Sequence, residues 1–354
     1  MARRPNPPSV QSPRVLIAAG GTAGHVVPAL AVAGELRARG AHVEFAGGDR
    51  IEAAMVPEAG YPFHRFAIGG IPRSLSPDLA RSLLRAGAAP LACRRIIARV
   101  RPDVVFGAGG YVSGPMLAAA AASRIATALL EVDAHLGVAN RLAAPLVRRV
   151  YLAFPIHPES AKYVVTGRPV DVGVRPPSND GPGDVVVVGG SLGAARLNDA
   201  ATEAWAHSDP GFRVTHVTGE REYARFETLS SPWYQVHGYI PHLMATLTGN
   251  HPKLIVSRAG GFVFEIAAAG CASILVPSPN VTADHQTANA RHLERAGAAV
   301  VIADADLTPE LLDSTVRALL ADPERLEAMA GAALRWARPD AAARIADDLL
   351  TLAG

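Results

Sequence analysis

Cysteine is nearly absent from this chain of 354 residues: the two present, Cys93 and Cys271, stand far apart. They form neither a disulfide framework nor a metal-binding spacing, so the reading is a reducing compartment with buried, inert thiols. Long hydrophobic runs are missing too. The most apolar stretch, from Met116 to Leu130, is interrupted by Arg124 and falls short of the ~20 residues that a membrane-spanning helix needs. The first thirteen residues, MARRPNPPSVQSP, offer no apolar core for a signal peptide and read as a disordered leader. Strong charge of one sign is also lacking. Thirty-four lysines and arginines face 32 acids, and a net charge of +2 gives no reason to expect nucleic acid as a partner.

What is present is α/β alternation. The runs RVLIAA (14–19), HVEFA (42–46) and DVVFGA (103–108) read as buried strands, with Ala/Leu-rich helical stretches between them. A second series begins at DVVVVGG (184–190) and continues through FRVTHVTG (212–219), KLIVSRAGG (253–261) and SILVPSP (273–279). Such alternation builds βαβ units on parallel sheets, and the length suits two hydrophobic cores. Residues 155–183 are rich in proline and lack helical periodicity, which places the connection near Val164. The expected division is residues 14–163, residues 164–335, and a last helix at 336–354 that crosses back to the first lobe.

Three glycine-rich loops each follow a strand and open a helix. They are AAGGTAGHVVPALAVAGEL (18–36), GAGGYVSGP (107–115) and GGSLGAARLN (189–198). Small residues let backbone N–H groups approach an anion at the positive end of a helix. Each loop alone is weak evidence, with tight packing as its other reading; three of them, divided between two lobes, imply a ligand-binding cleft at the sheets' carboxyl ends. Strand two ends in AGGDR, without the single ribose-binding acid of a dehydrogenase, which disfavours a nicotinamide enzyme. In the second half, SRAGGFVFEIAAAG (257–270) carries Glu265, and PSPNVTADHQTANARHLERAG (277–297) carries Gln286 and Asn289. Glu265 is suited to accept from two ribose hydroxyls, or is simply a helix-surface acid. Gln286 and Asn289 are suited to sugar hydroxyls, or to solvent.

The segments GGTAGHVVPALAVA, GAGGYVSGP, GGSLGA..LN, SRAGG...EIAAAG and DHQTANA, in this order, resemble the signature of the MurG family, which transfers N-acetylglucosamine from its UDP donor to lipid I. The resemblance runs from residue 14 to about residue 350. It implies a GT-B fold, with two Rossmann-like lobes facing across a cleft, and an inverting displacement onto the 4-hydroxyl of an N-acetylmuramoyl sugar carried on polyprenyl diphosphate. In the first lobe it implies that Gly21, Thr22, Ala23, Gly24, Gly109, Gly110, Tyr111 and Asn140 face the acceptor diphosphate and the reacting hydroxyl. His25 is then the candidate general base, because imidazole titrates near neutrality, with Glu131 and Asp133 as further catalytic candidates. The donor falls to Gly190, Ser191, Arg168, Ala259, Gly260, Phe262, Glu265, Gln286 and Asn289.

No cofactor is implied, and none of the matched segments holds a metal-binding DxD pair; a divalent ion is left at most an assisting role. The implied partners are UDP-N-acetylglucosamine, the lipid-linked acceptor and an anionic membrane surface on the cytoplasmic face; the oligomeric state is open. For the membrane, residues 71–96 combine Leu75, Leu79, Leu83 and Leu84 with Arg81, Arg85, Arg94 and Arg95.

The chain departs from the family pattern in places. Ala23 stands where glycine is usual, and LEVDAHLGVANR (130–141) replaces HEQNxxPGxxNR, which puts Asp133 in place of an amide. GRPVD (167–171) replaces GNPVR, and Lys253 precedes a strand where an acid is usual. Another transferase of the same fold, a UDP-N-acetylglucosamine 2-epimerase and a non-catalytic nucleotide-sugar binder are the competing readings.

Overall fold

The computed structural model describes residues 12–68, 77–170, 184–189, 194–240, 243, 252–281 and 284–354, with side chains of 77–88 left out. The leader, the leucine and arginine side chains of 71–88, and Gly190 and Ser191 therefore lie outside the described residues, wholly or nearly so. Two compact units are present. The first comprises Met1–Val132, Leu136–Pro169 and Asp340–Gly354; the second comprises Asp133–His135 and Val170–Pro339.

The first unit runs β1 (Arg14–Ala18), α1 (Ala23–Ala38), β2 (His42–Gly47), α2 (Glu52–Glu58), β3 (Phe63–Arg65), α3 (Pro77–Val100), β4 (Val104–Gly107), α4 (Ser113–Ala122), β5 (Ala126–Glu131), α5 (Val138–Ala143), β6 (Arg149–Leu152) and β7 (Tyr163–Val165). All pairings are parallel, in the order β3-β2-β1-β4-β5-β6-β7. The central strands are buried on both faces, which is why they read as unbroken apolar runs. The proline-rich stretch suggested a division at Val164, yet that residue sits in β7, paired with Tyr151 of β6. Prolines mark the approaches to this short edge strand as well as the connection beyond it.

The second unit repeats the plan with β8 (Val185–Val188), α6 (Ala195–Trp205), β9 (Val214–Val217), α7 (Glu220–Tyr223), β10 (Tyr234–His237), β11 (Leu254–Ser257), α8 (Phe262–Ala268), β12 (Ser273–Leu275), α9 (His285–Arg295), β13 (Ala299–Val301), α10 (Pro309–Leu320) and α11 (Pro323–Trp336). Its sheet is parallel in the order β10-β9-β8-β11-β12-β13. The last helix, α12 (Ala341–Ala353), returns to the first unit and buries Ala342, Ile345, Ala346 and Leu349 in the core that also holds Val26, Ala29, Val32, Ala33 and Leu36 of α1. Tyr151 and Arg149 tie it down through Asp348, at 2.8 and 2.9 Å.

Both sheets share one consequence of their strand order. Each reverses direction between its first and fourth strands, at β1/β4 and β8/β11, and ligands of open α/β sheets bind outside the carboxyl ends of such strands. In the first unit the loops after β1 and β4 interlock there. Gly110 has φ +77°, and a methyl added to it would lie 2.1 Å from the Gly20 carbonyl oxygen. A methyl on Gly109 would lie 2.3 Å from Cδ2 of His25. Ser113 ties the second loop to β1: its hydroxyl accepts from Gly109 N–H at 3.0 Å and lies 2.8 Å from the Ala18 carbonyl.

One carboxylate in each unit carries an acid-sensitive contact. Burial alone would raise the Glu44 carboxyl of β2, but hydrogen bonds from His64 and His42, at 2.5 and 2.9 Å, hold it below its ordinary 4.5. Asp184 is likewise opposed by burial and lowered from 3.8 by Lys253 Nζ at 2.8 Å and by Arg213 N–H. Depressed values mean that the unfolded chain takes up these protons first. The stability is therefore present above the ordinary values and is lost as pH falls through the depressed ones. Glu44→Gln and Asp184→Asn are each expected to melt lower than wild type at pH 7 and to lose less further stability between pH 5 and 3; an acid limb as steep as wild type would contradict this. Gly110→Ala is expected to destabilise the protein by about 2 kcal/mol or more. An unchanged urea midpoint would rule out the close approach of the two loops.

Candidate functional site

In the first unit the loop after β1 divides its N–H groups between two uses. Thr22 is the N-cap residue of α1, yet its hydroxyl does not cap the helix; it lies 3.2 Å from Nδ1 of His25. Among the described residues no hydrogen bond reaches the N–H groups of Ala23 and Gly24. A helix of 16 residues thus presents open donors and its positive end, the arrangement that suits a phosphate. Gly21 is different. Its N–H donates to Oε2 of the fully buried Glu52, at 3.0 Å, and so is not available to an incoming anion.

The loop after β4 places Tyr111 beside this array. Arg50 lies over its ring, 5.4 Å from the centroid. Burial raises the Tyr111 phenol above its ordinary value and the charge of Glu52 raises it further, so the hydroxyl stays a neutral donor. The same edge opens onto a hollow of about 270 Å³ lined by Gly48, Asp49 and residues 65–68.

Arg168, grouped with the donor residues on sequence, lies in the first unit. It is buried, and its Nη2 donates to the Gly24 carbonyl at 2.7 Å, across the first turn of α1. The sheet continues through β7, so the residues just after it emerge at the same carboxyl edge as the glycine loops.

Glu131 closes β5 and braces the loop that follows. Its Oε2 accepts from Gly137 N–H and from Asn140 Nδ2, both at 2.9 Å, and Asn140 also donates to the Leu130 carbonyl. Both side chains are buried. Asp133 is half-buried and groups with the second unit.

In the second unit the donor candidates after β11 converge. Asn289 of α9 is fully buried and donates to the Ala259 carbonyl at 3.1 Å. Gln286 accepts from Ser278 N–H at 2.9 Å, and its Nε2 lies 3.8 Å from where a Gly260 side chain would begin. Phe262 opens α8, and Glu265 stands three residues on, on the same helix face and half-buried. Ala259, Gly260, Phe262, Gln286 and Asn289 therefore form one corner, with Glu265 at its helical side. Arg258 anchors this corner, donating to the Val276 carbonyl at 3.1 Å and to Asp304 at 2.5 Å.

Next to Gly189, at the carboxyl end of β8, runs a buried polar chain: a methyl on Gly189 would lie 3.2 Å from Oδ1 of Asn198. Asn198 Nδ2 donates to the Thr218 carbonyl at 2.9 Å, which leaves Oδ1 to accept from Nε2 of His216 at 3.0 Å. The other ring nitrogen then accepts from Tyr234 Oη, 2.5 Å away. Burial pushes His216 down to about 3, so the ring is neutral and this single tautomer satisfies every partner. Sequence reasoning missed Glu52, Ser113, Arg258 and His216: Ser113 and Arg258 stand inside quoted glycine segments but were not singled out, while Glu52 and His216 lie outside the glycine loops and show their role only through burial.

The model of the glycosyltransferase family 28 N-terminal domain matches residues 15–152, and that of the family's C-terminal domain matches residues 184–345. A relative from Halothermothrix orenii is 34% identical over 92% of this chain and 95% of its own length; one from Acidithiobacillus ferrooxidans is 40% identical over 96% and 98%. Both are named UDP-N-acetylglucosamine--N-acetylmuramyl-(pentapeptide) pyrophosphoryl-undecaprenol N-acetylglucosamine transferase. The crystal structure of Acinetobacter baumannii MurG superposes with a TM-score of 0.77 at 30% identity, covering 96% of this chain and 99% of that one. With both glycine-loop sheets matched over nearly their whole length by such proteins, the chain belongs to the MurG family of glycosyltransferases, and its two Rossmann-like units are those of the GT-B fold.

Proposed function

We propose that this protein transfers N-acetylglucosamine from its UDP donor to the 4-hydroxyl of the N-acetylmuramoyl sugar of a polyprenyl-diphosphate-linked acceptor. The observation that carries the reading is the open start of α1 at the switch point of the first sheet, joined to full-length similarity to enzymes named for this reaction. The acceptor diphosphate would sit on the N–H groups of Ala23 and Gly24, with Arg168 fixing the first turn from behind. The second unit would hold the donor: Glu265 on the ribose, Gln286 and Asn289 toward the sugar, and the backbone of Ala259, Gly260 and Phe262 along the base.

In this mechanism the acceptor oxygen attacks C1 of the donor sugar as the C1–O bond to the diphosphate breaks, giving inversion. His25 takes the acceptor proton. For that, Nδ1–H must donate to the Thr22 hydroxyl 3.2 Å away, which puts the basic lone pair on Nε2. Glu131, with Gly137 and Asn140 both bonded to one of its oxygens, acts better as a brace than as a base. Asp133, which groups with the second unit, is left as the alternative base. Loop N–H groups, including those expected at Gly190 and Ser191, would meet the charge of the departing diphosphate, with a divalent ion only assisting.

The acceptor's lipid argues for work at the cytoplasmic membrane surface. No described helix is long and apolar enough to cross a membrane, and Leu91, Arg94 and Arg95 are exposed on α3. The expected result is label passing from UDP-N-acetylglucosamine into a short-chain lipid acceptor, faster when the acceptor is presented in anionic than in neutral vesicles. His25→Ala should lower kcat about 100- to 1,000-fold with little change in donor KM. Wild-type turnover in that variant would remove His25 as base, free sugar without lipid label would favour hydrolytic or epimerase chemistry, and equal rates in both vesicles would remove the membrane preference.

A further inference from the structure

Glu52 is a fully buried carboxylate outside every motif that the proposed function uses. It begins α2, where an acid ordinarily faces solvent and complements the helix dipole. Here the side chain turns inward instead. Oε2 accepts from Gly21 N–H and Oε1 from Gly48 N–H, each at 3.0 Å, so one carboxylate joins the loop after β1 to the loop after β2. The surrounding backbone is shaped to admit it. A methyl on Gly20 would lie 2.7 Å from Oε1, one on Gly48 3.0 Å from the same atom, and one on Gly47 3.0 Å from Cγ.

A carboxylate is needed because two N–H donors converge from different loops. Both of its oxygens accept, whereas an amide would present its own N–H₂ to one of those donors. Bonds to an ionised acceptor are about twice as strong as neutral ones, and an unmet donor in a buried site is costly. The bond to Gly21 also sets the direction of the turn: with this N–H drawn inward, the chain reaches the start of α1 with Ala23 and Gly24 as its open donors. Tyr111 belongs to the same cluster, since its hydroxyl would lie 2.9 Å from a methyl on Gly48.

We infer that Glu52 is a positioning residue for acceptor binding: by holding Gly21 and Gly48 together it aims the open N–H groups of α1 at the acceptor diphosphate, without touching substrate itself. The inference rests on the transferase reading for its substrate and on geometry alone for its bridge.

The test is Glu52→Gln, which keeps the shape but loses one acceptor oxygen. Expected are an acceptor kcat/KM reduced about 10- to 100-fold, a donor KM within about twofold of wild type, and faster amide exchange confined to residues 19–26 and 46–50. Equal losses toward both substrates, with faster exchange spread over both units, would make Glu52 merely structural. Wild-type acceptor kinetics would equally overturn the inference. If Glu52→Gln fails to fold, Glu52→Asp, which keeps the charge but shortens the reach, must show the same acceptor-selective loss. Should wild type transfer no sugar at all, the transferase reading fails, and the exchange data alone decide the bridge.

Discussion

Two glycine loops pressed together at one sheet edge, with no room for a side chain between them, set the terms for everything else in the first unit. Gly110 lies against the Gly20 carbonyl and Gly109 against the His25 ring, so neither loop can move without the other. Ser113 fastens the second loop to β1, Glu52 fastens the first to β2, and Arg168 reaches the Gly24 carbonyl from beyond β7. Contacts from three directions hold a helix start whose own N-cap side chain is turned toward a histidine. The local cost is a long helix without a capping side chain, worth about 1 kcal/mol. An anion at that end would offset it.

The second unit applies the same topology with different means. Its sheet reverses between β8 and β11, and the polar groups described near that point are held by buried side chains such as Asn198 and Asn289. Asn289 spends both amide atoms on backbone, donating to the Ala259 carbonyl and accepting from Ala134 N–H, and Gln286 spends its oxygen on Ser278 N–H, which fixes their direction. The neutral His216 links α6, β9 and β10. Preorganisation of this kind reduces what must be ordered when a ligand arrives.

Much of this was legible in the residues. Val-rich runs such as VVVV at 185–188 could only be strands buried on both faces, and strand-then-glycine-then-helix patterns marked the sheet edges. Short edge strands were not. β3, β7 and β13 have three residues each, too few for any periodicity to register. Glu52 was hidden because an acid at a helix start looks solvated; only the cluster of glycines around it shows that the side chain has space inside. Arg168 was read toward the donor because its segment precedes the second lobe, whereas the chain is still on the first sheet's edge there. Lys253, read as the loss of an acid, pairs with Asp184 at the foot of the neighbouring strand, a partner about 70 positions away that no local pattern reveals.

The central claim is that the first loop assigns its donors, with Gly21 and Gly48 committed inside and Gly24 left for phosphate. Selective ¹⁵N-glycine labelling and titration with a soluble prenyl diphosphate reads this directly. The account predicts that the Gly24 amide moves with saturation while those of Gly21 and Gly48 hold their positions. A shift at Gly21 with Gly24 unmoved would contradict it.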